Sequence, residues 1–410
     1  MMAKISIIKK YSEIISELTR TIRIWISEQN NNPSEILLRK HIEEEFFAST
    51  HINDVDVCDV KIVVECIEER LKSKYGILSS LLEDPEINEV MVNGTENIFV
   101  ERNRKILRVD NAFTSELELE ELIRMFASDV HREINEANPI VDARLKSGFR
   151  VNGVLKNIAL NGPILTIRKF SNKELELEDL IRFGSITEEC AKDLSILVNA
   201  GYNIFISGGT SSGKTTFLNA LARQISDEER VIVIEDSSEL KLDHIVNKVH
   251  MECRNANSVG KGEVTMQDLI KTSLRMRPDR IIVGEVRGRE VVDMIQAMNT
   301  GHEGSMSTGH GNSIKGMLNR LESMYLMDSQ IPIYSVRNQI ANAIDVFVHL
   351  KRDSNGERKV VELAELAGFN GEKYILNYLY TTDENGNLVC TGNRFIDRER
   401  LIRKGWDDFL

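Results

Sequence analysis

Apolar residues in the first 75 positions recur at three- and four-residue spacing, the pattern of one face of an amphipathic helix. This stripe comprises Ile7, Tyr11, Ile14, Leu18, Ile22 and Trp25. The run NNNPSEILLRKHIEEEFF interrupts it, and Ser34 stands where it would cap a second helix. A third helix is predicted over 56–74. We therefore predict a helical region over 1–75 that packs on its neighbours, with a docking surface for a partner as the alternative.

From Tyr75 the apolar runs become shorter. EVMVNG and NIFVER are β-rich and are separated by the turn-like cluster GTEN, which predicts a hairpin. A helix is predicted near 115–130, and further strands lie in FRVNGVLKNIAL and ILTIRKF. The pattern predicts an α+β domain over 76–170. The charged segment 171–187 has no strand pattern and is predicted to be a linker.

From residue 188 apolar strands alternate with helical sequence. The strands are NIFISG, VIVIED, RIIVGE and SMSTGH. Short continuous apolar strands between helices predict a sheet that is buried on both faces, as in α/β domains. Beyond Met327 a helix and a hairpin around Ser354-Asn355-Gly356 are predicted. The last predicted domain is thus α/β and spans 188–410.

Composition narrows the possible partners. The length of 410 residues suits two or three domains. A net charge of −12 argues against nucleic acid as the main partner, because binding to bulk phosphate requires a basic surface. The five cysteines are scattered without a C-x-x-C pair, which argues against a zinc knuckle or a disulfide framework. The sequence has neither a long apolar span nor a signal-peptide core, so we expect a cytoplasmic protein that meets membranes only through partners.

The run GGTSSGKTT fits a phosphate-binding P-loop, and it lies between a predicted strand and a predicted helix as that motif requires. Its residues are Gly208, Gly209, Thr210, Ser211, Ser212, Gly213, Lys214, Thr215 and Thr216. The glycines allow successive N–H groups to surround phosphate oxygens, and the helix N-terminus favours anions. Lys214 is expected to reach the β- and γ-phosphates, and the Thr215 hydroxyl is expected to ligate Mg²⁺.

Two later strands end in carboxylates. We expect the strand RIIVGE to neighbour the P-loop strand and to point Glu285 into the nucleotide crevice, where it would polarise a water molecule or hold Mg²⁺ through water. Gly284 stands where many P-loop enzymes have aspartate, which argues against direct metal ligation by a carboxylate. Glu235 and Asp236 end the strand VIVIED. Together these groups favour a hydrolytic site, and an exposed acidic turn is the alternative for Glu235 and Asp236.

Histidines and arginines add further candidates. His302 and His310 flank the strand SMSTG. Three roles are open for them: a sensor of the γ-phosphate, a coupling element, or ordinary hydrogen-bonded side chains. No cysteine or second close histidine completes a zinc ligand set. The segment 144–169 carries basic residues without an acidic one, which suggests either an anion contact or a solvated strand face: Arg144, Lys146, Arg150, Lys156, Arg168 and Lys169. Arg275 and Arg277 precede RIIVGE and are suited to stabilising phosphoryl charge, in a neighbouring subunit if the protein forms a ring.

Four of these runs together resemble a known family. GGTSSGKTT, IEDSSEL, LRMRPDRIIVGEVRGRE and MNTGHEGSMSTGHGNS resemble the Walker A, Asp box, Walker B and His box of the type II/type IV secretion ATPase superfamily. GEVRGREVVDMIQAMNTGHEGSMST, PIVDARLKSGFRVNGV and GPILTIRKF look most like its tight-adherence (Flp) pilus assembly branch. The resemblance covers the chain from residue 75 to residue 368.

The resemblance implies a homo-hexameric ATPase that is docked at an inner-membrane platform protein and that uses ATP and Mg²⁺ to assemble or export pilin-like subunits. Each subunit would join a PAS-like N-terminal domain to a RecA-like domain. The implied catalytic residues are the Walker B residue Glu285, the Asp-box residue Glu235, the His-box residue His310, and the trans-acting Arg275 and Arg287. His302 would also belong to the His box. The resemblance also implies that Arg144, Arg150 and Arg168 reach phosphate. Gly311 departs from the branch, which usually has alanine there.

Two other functions remain open from the sequence. RecA-like rings also move DNA, and the 144–169 cluster would then follow a phosphate backbone, although the net acidity and the lack of an aromatic-rich basic stretch argue against this. A scaffold that is organised by nucleotide binding without turnover is the second alternative, against which the two glutamates at strand ends argue. Stimulation by DNA and phosphate release would separate the three.

Overall fold

The computed structural model describes residues 2–29, 33–103, 105–130, 132–169, 175–254, 256, 261–327, 331–353 and 355–406. The chain divides into two compact units, Met1–Asn172 and Lys173–Leu410. Among the described helices, none combines the length and the apolar character that a membrane span needs.

Helices form the first part of the first unit. They are α1 (Met2–Lys10), α2 (Ser12–Glu28), α3 (Glu35–Ala48) and α4 (Val60–Leu71), with a 3-10 turn at Thr50–Asn53. Their apolar stripes meet in one core in which Ile22, Ile42 and Phe46 are fully buried. The Ser34 side chain accepts a hydrogen bond from the backbone N–H of Leu37 and so caps α3. The predicted helical region is confirmed, and the cap lies where the sequence placed it.

An antiparallel sheet forms the rest of the first unit. The 3-10 turn Gly76–Leu78 and α5 (Ser79–Glu83) precede β1 (Ile87–Asn93), β2 (Asn97–Arg102), β3 (Lys105–Arg108), α6 (Glu116–Asp129), β4 (Ile140–Arg144), β5 (Arg150–Val154) and β6 (Ile164–Arg168). The strand order is β3-β2-β1-β6-β5-β4. α6 covers one face so closely that a Cβ on Gly153 would lie 2.6 Å from Cγ2 of Ile123. These elements have the α+β pattern that the sequence predicted after residue 75, with the β1–β2 hairpin in place, and they share one compact unit with the helices before them.

Nine strands and eight helices make up the described part of the second unit. In chain order they are α7 (Leu177–Arg182), α8 (Glu188–Ala200), β7 (Ile204–Gly208), α9 (Lys214–Ala222), β8 (Val231–Glu235), β9 (Lys248–Glu252), α10 (Met266–Ser273), β10 (Arg280–Val286), α11 (Glu290–Asn299), β11 (Met306–His310), α12 (Ile314–Tyr325), α13 (Ile333–Ala343), β12 (Val346–Arg352), β13 (Arg358–Phe369), β14 (Tyr374–Thr382), β15 (Leu388–Cys390) and α14 (Glu399–Arg403).

These strands form one sheet in the order β15-β14-β13-β12-β7-β11-β10-β8-β9. The six strands from β12 to β9 are parallel, and β13 to β15 extend the sheet antiparallel. Separate apolar cores lie on its two faces, which is why β7 and β8 are buried along their whole length. The predicted α/β class is confirmed.

The strand order corrects one prediction. β11 lies between β7 and β10, so the strand that carries Glu285 is not the neighbour of the P-loop strand. The predicted pairing of these two strands is wrong, because the crossover after α11 returns the chain into the gap between β7 and β10. As a consequence His310, at the end of β11, stands between the two motifs.

The predicted linker over 171–187 contributes a helix to the second unit. Residues 170–174 lie outside the described part of the chain, and α7 follows directly. Leu177 and Leu180 of α7 are buried in the core of the second unit. The predicted hairpin near the C-terminal end is present as β12 and β13, while Ser354 of its turn lies outside the described residues.

Candidate active site

Four neighbouring parallel strands bring the predicted groups to one edge of the sheet. β7 ends at Gly208, β11 at His310 and β8 at Glu235, and β10 carries Glu285 near its end. Gly208 and His310 are direct register partners. The carboxyl ends of parallel strands are where open α/β sheets bind ligands. Motifs that are far apart in the sequence therefore meet at a single edge.

The loop between β7 and α9 has the shape of an anion cradle. Ser211 and Gly213 adopt positive φ angles of 59° and 91°. A Cβ on Gly208 would lie 2.5 Å from Oγ of Ser212 and 2.7 Å from the carbonyl oxygen of Leu350, so only glycine fits there. The Ser212 hydroxyl is buried without a hydrogen-bond partner in the described structure. A buried polar atom at the floor of a glycine-lined loop suits a phosphate ligand.

Lys214 begins α9 and is 6% exposed. Its Nζ donates hydrogen bonds to the carbonyl oxygens of Gly208 at 3.3 Å and Gly209 at 3.1 Å, and it lies 3.2 Å from Nδ1 of His310. Burial lowers the pKa of Lys214, and the nearby carboxylate of Glu285 acts in the opposite direction. The cradle thus contains a buried amine that an anionic ligand would hold in its charged form.

His310 joins Lys214 to Glu285. Its Nε2 lies 2.8 Å from Oε1 of Glu285, and burial lowers the pKa of the imidazole below its ordinary value of 6.5. Since the Lys214 ammonium can only donate, Nδ1 accepts and the hydrogen of the neutral ring is on Nε2. Oε1 of Glu285 is buried, and the approach of His310 lacks the angles of a hydrogen bond. This oxygen still has capacity for a water molecule or a ligand.

Arg287 lies beside the other oxygen of Glu285. Its guanidinium nitrogens are 3.3 Å from Oε2 of Glu285 and 3.4 Å from Oδ2 of Asp236. The hydrogen bond that Arg287 donates to Glu285 raises the pKa of Arg287. The Arg287 side chain is about half exposed. A permanently charged, accessible arginine therefore stands at the same edge of the same chain.

Glu235 is buried and fully engaged. Its Oε1 accepts hydrogen bonds from the backbone N–H groups of Glu239 at 3.0 Å and Leu240 at 3.2 Å, and its Oε2 lies 2.6 Å from Nε2 of His250. Only 3% of the residue is exposed. A Cβ on Gly284 would lie 2.9 Å from Cγ of Glu235. Glu235 thus occupies the space in which a side chain at position 284 would stand, and its carboxylate anchors the loop that follows β8.

Two candidates lie away from this edge. His302 is in the loop that leads into β11, at the opposite end of that strand from His310, and its Nδ1 lies 3.0 Å from the carbonyl oxygen of Ala297. Arg275 and Arg277 are exposed and lie before the amino end of β10, whereas Glu285 is near its carboxyl end. The structure therefore does not bring His302 or Arg275 to the P-loop of the same chain.

The three candidate phosphate-binding arginines of the first unit, Arg144, Arg150 and Arg168, form a row across its sheet. Arg144 on β4 is the register partner of Arg150 on β5, which in turn pairs with Arg168 on β6. Directly opposed residues of antiparallel strands share a face. The alternate residues, such as Val151 and Ile167, are buried in the core beneath α6, so the arginines lie on the opposite face. The sequence cluster is thus an ordered cationic row.

Sequence reasoning missed two residues that contact the P-loop. His349 on β12 is 4% exposed and shares a 2.8 Å hydrogen bond with Oγ of Ser207, the residue before Gly208. Arg358 at the start of β13 donates from Nε to the carbonyl oxygen of Ser211 at 3.1 Å. A histidine within the apolar run VFVHL is a signal for the first. Nothing local signals the second.

A comparison with protein families shows to which family the chain belongs. A family model described as type II/IV secretion system protein matches residues 72–408. The chain belongs to this family. It is 35% identical over 302 residues to a putative conjugal transfer protein of Mycobacterium tuberculosis, covering 72% of this chain and 85% of that protein. It is 30% identical to the type IV secretion system protein PtlH of Bordetella pertussis, covering 68% of this chain and 90% of that protein.

A solved structure of a further protein has the same fold. The X-ray structure of the Legionella pneumophila ATPase DotB matches with a TM-score of 0.51 and 20% identity, over 70% of this chain and 78% of that chain. The predicted fold, in which a RecA-like domain follows a PAS-like α+β domain and a helical region, is confirmed.

Proposed function

We propose that this chain is a motor that hydrolyses ATP to power the assembly or export of subunits of a pilus or secretion system at the cytoplasmic membrane. The observation that carries the proposal is the continuous contact from Lys214 through His310 to Glu285 at the edge of the sheet. A phosphate-binding loop joined to a buried carboxylate with spare accepting capacity is an arrangement for hydrolysis rather than for binding alone.

The residues present fit ATP with Mg²⁺. The glycine-lined cradle, the unpartnered Ser212 hydroxyl and the Lys214 amine suit the phosphates. The Thr215 hydroxyl, at the second position of α9, is the protein oxygen that would hold the metal, as oxygen ligands suit Mg²⁺. When bound, the ion neutralises charge on the phosphates. Phosphoryl transfer depends mainly on positioning and on electrostatic stabilisation, which these groups supply.

Glu285 is the proposed catalytic residue. Its donor-free Oε1 would orient a water molecule and accept the proton as that water attacks. The neutral His310 lies beside Oε1 without donating a hydrogen bond to it, while Arg287 donates to Oε2. Glu235, which binds backbone and His250, acts in this scheme as a positioning residue for the loop beside Glu285 rather than as a reacting group.

Four further features of the proposed motor rest on the likeness of this chain to the secretion ATPases. They are a homo-hexamer, Arg275 acting on the nucleotide of a neighbouring subunit, a phosphate contact from the row Arg144, Arg150 and Arg168, and docking to an inner-membrane platform protein. The exposure of Arg275 and the shared face of the row support these roles. The wording of the motifs supports the tight-adherence pilus branch. The names of the two relatives link them to conjugal transfer and type IV secretion.

Two substitutions test the proposal. Lys214→Ala removes the cation of the cradle and is expected to abolish ATP binding. Glu285→Gln leaves the cradle intact and is expected to keep binding while phosphate release falls at least about 100-fold, the contribution typical of a general base. Glu228→Gln changes an exposed carboxylate that lies away from the site and serves as the matched control. Wild-type rates of phosphate release by purified Glu285→Gln would refute the role of Glu285.

A further inference from the structure

Arg358 contacts the P-loop from outside through both its stem and its guanidinium group. Its Cδ would lie 3.1 Å from a Cβ on Gly213, so the stem covers that glycine. Its Nε donates to the carbonyl oxygen of Ser211 at 3.1 Å. Ser211 has a φ of 59°, a conformation that non-glycine residues rarely adopt. Arg358 therefore holds the loop at its least favoured residue.

Peptide geometry makes this contact relevant to the interior of the cradle. The carbonyl of Ser211 and the N–H of Ser212 belong to one planar trans peptide and point to opposite sides. Because Arg358 holds the carbonyl on the outer side, the N–H of Ser212 is turned inward, where it donates to the carbonyl oxygen of Gly209 at 3.4 Å. Inward N–H groups are the ones that cradle phosphate oxygens in a P-loop.

We propose that Arg358 is a positioning residue for nucleotide binding, which fixes the Ser211–Ser212 peptide with its N–H directed at the phosphates. This inference rests on the proposed ATP site. We assign it a positioning role because the two contacts given above are with the backbone of the loop. It comes from β13, more than 140 residues after the P-loop in the sequence. The hairpin of β12 and β13 is thereby part of the nucleotide site.

The test uses the full chain with substitutions on this hairpin. Arg358→Met keeps a stem over Gly213 and removes the Nε donor, whereas Arg358→Lys keeps both a stem and a donor. Arg352 is the register partner of Arg358 on β12 and is also exposed, so Arg352→Met is the matched control. Binding of ADP and of the non-hydrolysable analogue AMP-PNP is measured by calorimetry, and KM and kcat for ATP by phosphate release.

We expect Arg358→Met to weaken ADP and AMP-PNP about 5- to 10-fold alike, as loss of one orienting hydrogen bond predicts, and to raise KM with kcat within about twofold. On a logarithmic scale, Arg358→Lys should recover at least half of the nucleotide affinity that Arg358→Met loses. Arg352→Met should bind both nucleotides as tightly as the wild type does. If Arg358→Met does not fold, Arg358→Lys against Arg352→Met carries the comparison, and a loss of about two- to threefold with a matching rise in KM is the expected result, whereas equal affinity of the two variants would overturn the inference.

Unchanged affinity in Arg358→Met, beside a wild type that binds both nucleotides, would overturn the inference. Weakening of AMP-PNP alone would overturn it as well, because it would mean a direct contact with the γ-phosphate. A wild type that binds neither nucleotide would instead be a failure of the proposed function. The two failures are therefore distinguishable.

Discussion

Replacing Gly284 with alanine is expected to destabilise the second unit, because the new methyl group meets a carboxylate that is held in place. The methyl carbon would lie 2.9 Å from Cγ and 3.4 Å from Oε1 of Glu235. Unstrained carbon–carbon contacts are about 3.5–4.0 Å. Glu235 cannot yield freely, since its carboxylate is held by the backbone N–H groups of Glu239 and Leu240 and by His250.

The size of the effect follows from this displacement. To relieve the contact, the Glu235 side chain must shift by about 0.6 Å or more, which would stretch the hydrogen bonds that its carboxylate accepts. Overpacking of a core typically costs about 1–3 kcal/mol, and a weakened hydrogen bond to a charged group about 1.5–3 kcal/mol. Because both figures describe one displacement, we expect about 2 kcal/mol in total. For a unit of this size that lowers Tm by about 4–8 °C.

Scanning calorimetry of the full chain measures this loss, with Gly288→Ala as the control, since a Cβ there comes no closer than 3.4 Å to any atom. In a Glu235→Ala background Cγ is absent, so adding Gly284→Ala should change stability by less than about 0.5 kcal/mol. A Gly284→Ala protein that melts within about 1 °C of wild type would refute the reasoning. So would a double variant whose loss equals the sum of the two single losses.

Two further predictions concern buried charge. Burial lowers the pKa of His349, and the charges of Lys214 and Lys351 also lower it. Between the pKa of His349 in the folded chain and the ordinary value near 6.5, the unfolded chain therefore binds more protons than the folded chain. The free energy of unfolding consequently falls as the pH falls through this range. His349→Asn should therefore reduce the loss of Tm between pH 7.5 and 5.5, and an unchanged pH dependence would contradict this. Arg280 is 3% exposed and paired with Glu229, so Glu229→Ala should lower the free energy of unfolding by about 3 kcal/mol in a denaturant titration, whereas the exposed neighbour variant Glu228→Ala should not.

Local patterns in the sequence were sufficient to predict many of the elements and the motifs. Apolar runs gave six strands of the second unit, β7, β8 and β10 to β13, and glycine spacing with the following lysine gave the P-loop, whereas β9, β14 and β15 were missed. β3 was missed because all four of its residues are exposed and do not alternate. β4 was missed although it alternates, since the five residues from Ile140 to Arg144 include two charged ones. Signals of this kind depend on burial, so exposed or charged strands escape them.

The arrangement of the site was less accessible, because it depends on contacts between distant parts of the chain. The sequence favoured Glu235 as a carboxylate of the hydrolytic site and left an exposed acidic turn as the alternative, yet folding buries Glu235 beside Gly284. His349 and Arg358 reach the P-loop only because β12 pairs with β7. No spacing rule links residues so far apart. Chain order likewise gave no indication that β11 would enter between β7 and β10.

The inserted strand β11 places His310 in contact with both Lys214 and Glu285. The imidazole of His310 is rigid, and its two nitrogens contact Lys214 and Glu285 at 3.2 and 2.8 Å. Because the separation of the two ring nitrogens is fixed, a shift of the imidazole along the line that joins Lys214 to Glu285 changes both distances. The loop after it is also confined, since a Cβ on Gly311 would lie 3.0 Å from Cβ of Met317 and its N–H donates to the carbonyl oxygen of Gly208. Lys214 and Glu285, the proposed phosphate-binding and catalytic groups, are therefore in contact through His310 of β11, which direct pairing of β7 with β10 would not provide.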